Sequence, residues 1–222
     1  MYDTIVFDLD GTLLDTLYDL YVCTNDILKK YDCPQRSFQE VRQFVGNGIK
    51  KLIERALPEK KQDLLEDAFN DFLKHYEIHK MDNTKPYDGI YELLKELKNR
   101  NIKMAIVSNK IDSAVKQMCT PLFGKYINVM LGESDKLLKK PAPDMVYEAL
   151  KLLNSSKKST LFVGDSETDV LTANNAGIDV CGVDWGFRGE DILKKLKINY
   201  LIFKPLELLD ILNKENENES NY

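Results

Sequence analysis

The sequence predicts an α/β protein: a doubly wound, Rossmann-like parallel sheet with a small all-helical domain inserted after its first strand. Three observations carry this. Short, mostly apolar runs of 4–6 residues alternate with helical periodicity over most of the chain, the pattern of βαβ units whose strands are covered on both faces. One stretch of about 65 residues, 17–81, contains helical periodicity and no strand pattern. The segments richest in polar chemistry follow directly on predicted strands, where an open α/β sheet holds its ligand. A length of 222 residues suits one core with one insertion.

The elements follow in order. Thr4-Ile5-Val6-Phe7 is the first strand and ends at Asp8. The insert then shows three apolar stripes: Leu20, Cys23, Thr24, Ile27 and Leu28; Ile49, Leu52, Ile53 and Ala56; Leu64, Leu65, Ala68, Phe69 and Phe72. Cys33-Pro34, Gly46-Asn47-Gly48 and Pro58 separate them, and Asp82-Asn83-Thr84-Lys85-Pro86 marks the return. The core is expected over 1–15 and 84–222, and the helical cap over 16–83. After Gly89, the positions Ile90, Leu93, Leu94 and Leu97 form a helical face. Strands are expected at 103–107, 126–131, 160–163, 178–183 and 200–203. Val146, Ala149, Leu150 and Leu153, with Pro143 in the first turn, predict a helix. So do Val170, Leu171, Ala173 and Ala176, closed by Gly177. The tail 213–222, rich in Asn and Glu, is expected to fray.

Composition narrows the function. Hydrophobic residues make up 43% and charged residues 30%, which excludes wholesale disorder. No apolar run reaches the roughly 18–20 residues that cross a bilayer, and the N-terminus has no signal-peptide pattern. The net charge of −5, with Lys and Arg scattered, points to no nucleic-acid or membrane partner. Cys23, Cys33, Cys119 and Cys181 are far apart and read as reduced, packed thiols, so a cytoplasmic location is expected.

Four motifs carry chemistry. In Asp8-Leu9-Asp10-Gly11-Thr12-Leu13 the two carboxylates, two apart on extended chain, can face one space, tolerable beside a divalent cation. Ser108-Asn109 offers a hydroxyl and an amide suited to phosphate oxygens. Lys139-Lys140-Pro141-Ala142-Pro143-Asp144 sets a lysine just before a helix. In Gly164-Asp165-Ser166-Glu167-Thr168-Asp169 the second carboxylate follows one helical turn after the first. His75 and His79, four apart with Glu77 between, lack the Glu that directly follows the first His in zinc-peptidase helices; they read as a solvated helix face.

The ordered set of all four motifs resembles the haloacid dehalogenase superfamily of phosphotransferases, over both core segments, and the helical insert resembles that family's mobile cap. Phe44-Val45-Gly46-Asn47-Gly48, Leu52-Ile53-Glu54-Arg55-Ala56-Leu57, Thr84-Lys85-Pro86-Tyr87-Asp88-Gly89 and Trp185-Gly186-Phe187-Arg188 look most like the phosphoglycolate phosphatase branch. The resemblance implies that Asp8 is the nucleophile and Asp10 the general acid and base. It implies Mg²⁺ held by Asp8, the Asp10 carbonyl and Asp165, with Asp169 orienting Lys140 or a metal-bound water. Ser108, Asn109 and Lys140 would bind the phosphate, and Gly46, Asn47 and Gly48 would form a substrate loop facing the core.

The expected enzyme is therefore a Mg²⁺-dependent phosphatase of a small phosphorylated metabolite, phosphoglycolate first, acting as a monomer or homodimer. Inorganic pyrophosphatase, nucleoside 5′-monophosphatase and sugar-phosphatase activities are its rivals. The second aspartate disfavours dehalogenase and phosphonoacetaldehyde-hydrolase chemistry. Asp10-Gly11-Thr12 argues against a sugar-phosphate mutase, and the filled catalytic positions argue against a silent binding protein.

Overall fold

The structure is a computed structural model and describes residues 1–219. It divides into two compact units, one formed by Met1–Leu13 with the chain from Pro86 onward, the other by Leu14–Lys85. The first opens with β1 (Thr4–Phe7). The second begins at β2 (Leu14–Asp15) and continues through α1 (Leu17–Lys30), α2 (Phe38–Phe44), α3 (Ile49–Ala56) and α4 (Leu65–His79). β3 (Lys85–Pro86) pairs with β2 in a two-stranded ribbon. The rest of the first unit is α5 (Ile90–Asn99), β4 (Lys103–Ile111), α6 (Asp112–Phe123), β5 (Val129–Glu133), α7 (Asp144–Leu153), β6 (Thr160–Gly164), α8 (Glu167–Ala176), β7 (Asp179–Val183), α9 (Glu190–Leu193), β8 (Tyr200–Ile202) and α10 (Glu207–Glu219).

The sheet order is β5-β4-β1-β6-β7-β8, and every neighbouring pair is parallel. The chain winds outward from β1 on one side, then crosses and winds outward on the other. The reversal between β1 and β6 opens a crevice at their carboxyl ends. Phe7 lies level with Ile106 and with Val163, so β1 ends in step with its neighbours and Asp8 emerges into that crevice. Val6, Ala105, Val107, Phe162 and Val180 point to one face and are buried against Met145, Val146 and Ala149 of α7 and Val170 and Ala173 of α8. Burying each of the valine, methionine and phenylalanine side chains contributes about 1.5–3 kcal/mol, so strands covered on both faces are apolar throughout.

In the second unit the α1 stripe is buried, as are Leu52, Ile53 and Ala56 of α3 and Ala68 and Phe72 of α4, while Ile49, Leu64, Leu65 and Phe69 at the stripe edges are half-buried. α2 has a clear start signal: Ser37 caps it, and Glu40 bonds back to the Ser37 N–H. The buried Asp19 carboxylate of α1 accepts four hydrogen-bond donors at 2.8–3.0 Å, namely the N–H groups of Asn83 and Thr84, the Asn83 amide and the Thr84 hydroxyl.

Three sequence expectations are corrected. β4 continues past Val107 to Ile111, but its register against β5 shifts between those residues, so 108–110 form an irregular stretch and not a strand end. The strand expected over 126–131 starts at Val129, because the N–H groups of Tyr126 and Ile127 close onto the Phe123 carbonyl and finish the turn after α6. α6 itself, with Val115, Met118 and Cys119 buried, is masked in the sequence by Pro121 in its last turn. Finally, α10 runs through 213–219, the segment expected to fray. Buried Leu208, Ile211 and Leu212 anchor it, and propagation from an anchored helix costs little. Residues 220–222 of that tail lie outside the described residues. All four cysteines are free and buried, and burial pushes the Cys23 and Cys119 thiols up to about 12. Among the described residues no helix is long and apolar enough to cross a membrane.

Candidate active site

Asp8 continues the ladder by one residue, its N–H donating to the Val163 carbonyl at 2.9 Å. The chain then turns away through 9–13, with Leu9 and Leu13 fully buried. Gly11 has φ +92°, and a Cβ there would stand 2.5 Å from Asp165 Oδ2. Only glycine permits the two motifs to approach this closely.

Asp165 leaves the end of β6, directly across the crevice. Asp169 lies in the first turn of α8, where Ser166 and Asp169 cap reciprocally: the Asp169 N–H donates to Ser166 Oγ and the Ser166 N–H to Asp169 Oδ2 at 3.1 Å, which also accepts the Ser166 hydroxyl at 2.6 Å. Asp8, Asp165 and Asp169 each place a carboxylate oxygen within 4.8 Å of the others, and all three are buried. Such crowding raises carboxyl pKa values. Burial, reinforced by Asp169, pushes Asp8 up to about 7, and burial with Asp169 and Asp8 drives Asp165 well above the usual carboxylate range.

Lys140 is the counter-charge. Its Nζ donates to Asp8 Oδ1 at 2.5 Å and to Asp169 Oδ1 at 2.7 Å. Burial alone would lower its pKa, but Asp169 and Asp8 outweigh that and hold it above the ordinary lysine value. Three carboxyl groups face one ammonium, so full ionisation would leave two negative charges uncompensated, the excess that a bound cation relieves. An all-oxygen donor set with that excess fits a hard divalent cation.

Asn109 is not simply a phosphate ligand. Its Oδ1 accepts the Lys140 N–H at 2.7 Å and its Nδ2 donates to the Lys140 carbonyl at 3.0 Å, so the side chain clamps the lysine backbone. Ser108 Oγ accepts the Lys110 N–H at 3.1 Å, which leaves its O–H to donate.

Several residues escaped the sequence reading. Lys110, buried, places Nζ 3.1 Å from Asp10 Oδ1. The contact is an ion pair and not an aligned hydrogen bond, and Asp10 Oδ1 has no hydrogen-bond donor. The loop after β7 braces the site: Trp185 Nε1 donates to the Thr12 carbonyl at 3.0 Å and the Phe187 N–H to Asp165 Oδ2 at 2.6 Å. At Gly186 a Cβ would fall 2.2 Å from the Asp165 Cβ. Trp185-Gly186-Phe187-Arg188 was visible as a motif, but nothing in its residue types announced that it orients a carboxylate. Lys110 adjoins Ser108-Asn109 and was the readable signal.

In the second unit, Gly46 and Gly48 have φ +109° and +86°, and Asn47 Oδ1 accepts from Arg55 Nη2 at 2.9 Å. Arg55 Nη1 also donates to the Phe44 carbonyl at 2.7 Å, so this loop is braced by α3. His75 pairs with Asp26 and His79 with Asp82 on partly exposed faces. Among the described residues the one grouping of three metal-ligating side chains is Asp8, Asp165 and Asp169.

A parallel α/β sheet with crowded carboxylates at its switch point suits chemistry on an anion beside a bound cation. The chain belongs to the haloacid dehalogenase-like hydrolases, whose family model matches residues 5–183. It is 34% identical over 199 residues to a phosphoglycolate phosphatase of Colwellia psychrerythraea, covering 86% of this chain and 88% of that one. It is 30% identical over 213 residues to pyrophosphatase PpaX of Halalkalibacterium halodurans, covering 95% and 96%. A crystal structure from Lactobacillus delbrueckii subsp. bulgaricus superposes with a TM-score of 0.88 at 30% identity, covering 93% and 96% of the two chains.

Proposed function

We propose that the protein is a Mg²⁺-dependent phosphatase that converts phosphoglycolate to glycolate and inorganic phosphate through a phosphorylated aspartate. The observation that carries this is the buried cluster of Asp8, Asp165 and Asp169 held around Lys140. An Asp8 oxygen attacks phosphorus as the bond to the leaving oxygen breaks, and Asp10 gives that oxygen its proton. Water then attacks the phosphorylated Asp8, Asp10 takes the water's proton, and phosphate leaves with the carboxylate restored. Asp8, Asp165 and the Asp10 carbonyl would hold Mg²⁺, which supplies charge neutralisation when bound. Asp169 keeps Lys140 in place. Lys140, the Ser108 hydroxyl and the main chain at Asn109 meet the phosphate oxygens. A role of Gly46, Asn47 and Gly48 in substrate choice, and of residues 16–83 as a moving cap, rests on the sequence pattern.

The pyrophosphatase relative keeps pyrophosphate as a second candidate. A panel of phosphorylated metabolites assayed for kcat/KM with Mg²⁺ decides: phosphoglycolate should rank first, and no Mg²⁺-dependent phosphate release from any member, nor from an aryl phosphate, would refute the phosphatase itself.

A further inference from the structure

We infer that His75 and His79 form a transition-metal site on the helical unit, in which two imidazoles take a divalent ion of the zinc type and water completes its shell. The two residues lie four apart on α4, so their side chains leave the same face one turn from each other. Their ring centroids are 4.6 Å apart. Zn–N bonds of about 2.0–2.1 Å let one ion join nitrogens up to about 4 Å apart, and two rings so placed offer atoms within that span. The side chains are 31% and 40% exposed, so an ion can reach them and keep water ligands.

The groups behind the rings distinguish this pair from a merely solvated face. His75 Nε2 lies 3.0 Å from Asp26 Oδ2, and His79 Nδ1 lies 2.7 Å from Asp82 Oδ2. A neutral imidazole that donates its N–H to a carboxylate carries its lone pair on the other nitrogen, here Nδ1 of His75 and Nε2 of His79. Carboxylate, imidazole and ion in that order is the arrangement that orients a metal-binding histidine and raises its basicity. The two carboxylates come from different segments, Asp26 from α1 and Asp82 from the turn that closes α4, where its N–H donates to the His79 carbonyl at 3.2 Å. They converge all the same: burial raises the Cys23 thiol, and Asp26, Asp19 and Asp82 all add to it. Asp19 is engaged by the donors of Asn83 and Thr84, whereas Asp26 and Asp82 face the histidines. Two carboxylates beside two neutral rings give a local negative charge that a cation offsets. Imidazole suits zinc, copper or nickel, whereas Mg²⁺ takes oxygen ligands, so this site and the Asp8 crevice select different ions.

Calorimetric titration of the full chain with Zn²⁺, in excess Mg²⁺ to occupy the oxygen donors of the crevice, tests the inference. The wild type should bind Zn²⁺, and His75→Gln and His79→Gln should each weaken that binding by at least about tenfold. A double variant, Asp26→Asn with Asp82→Asn, keeps both rings and should weaken it by about 10- to 100-fold. Asp8→Asn should bind Zn²⁺ within about threefold of wild type, because the crevice is a separate site. Cu²⁺ added in place of Zn²⁺ gives a second readout: its paramagnetic resonance spectrum should carry nitrogen couplings that either histidine variant removes. Circular dichroism checks that each variant is folded. No Zn²⁺ binding by the wild type, binding that survives both histidine substitutions, or a double aspartate variant that binds as the wild type does overturns the inference.

Discussion

Asp165 is oriented by a backbone N–H and crowded by two carboxylates, and it is proposed to hold the cation. Asp165→Ala should therefore raise the Mg²⁺ concentration giving half-maximal activity by about tenfold or more, and an unchanged midpoint with unchanged maximal rate would contradict the assignment. The raised Asp8 pKa carries a pH signature. Its folded value of about 7 lies above the roughly 3.9 of an unfolded aspartate, so the folded state keeps a proton between those values that the unfolded state has lost. Stability from this group is complete below about pH 4 and falls as pH rises through 7. A cation competes with the same proton, so Mg²⁺ should raise Tm more at pH 8 than at pH 5; equal shifts in a melting experiment would exclude the linkage. Asn109→Ala should free the Lys140 main chain, whose buried polar groups cost about 1–3 kcal/mol each when unpaired. A fall in Tm of several degrees, with a lower kcat for every substrate, is expected. At this scale the sequence showed which residues carry charge, but not that Asn109 would be spent on Lys140 or that Lys110 would face Asp10. Both depend on the irregular stretch of β4, which no periodicity encodes.

Elements were legible wherever one pattern dominated. The strands at Thr4–Phe7, Thr160–Gly164 and Asp179–Val183, and the helices with clean apolar stripes, were readable because burial and periodicity agree there. α6 was hidden by Pro121, and α10 by an Asn- and Glu-rich composition that suggests fraying when the buried anchors at Leu208, Ile211 and Leu212 are ignored. The loop after β7 is the element whose role was least readable, because it acts through a backbone N–H and a missing side chain. Gly186→Ala drives a methyl into Asp165 and should lower Tm and raise the Mg²⁺ requirement together. A stable variant with a normal Mg²⁺ midpoint would mean that the loop does not position Asp165.

For the whole molecule, the doubly wound order of the sheet puts two loops side by side at one reversal, and the segments that carry Asp8 and Asp165 fall on them. Sequence order alone separates Asp8 from Asp165 by more than 150 residues; the parallel pairing of β1 with β6 brings them together. The helical insert leaves the core between Leu13 and Pro86 without interrupting any of the six strands that build the crevice. The central claim is that Asp8 is the nucleophile of this crevice. The most direct test is kcat of Asp8→Asn against wild type, with saturating Mg²⁺ and phosphoglycolate and with folding checked by circular dichroism. A neutral amide of the same shape cannot attack phosphorus, so a loss of at least about 10³-fold in a folded protein is predicted. Activity within tenfold of wild type would contradict it.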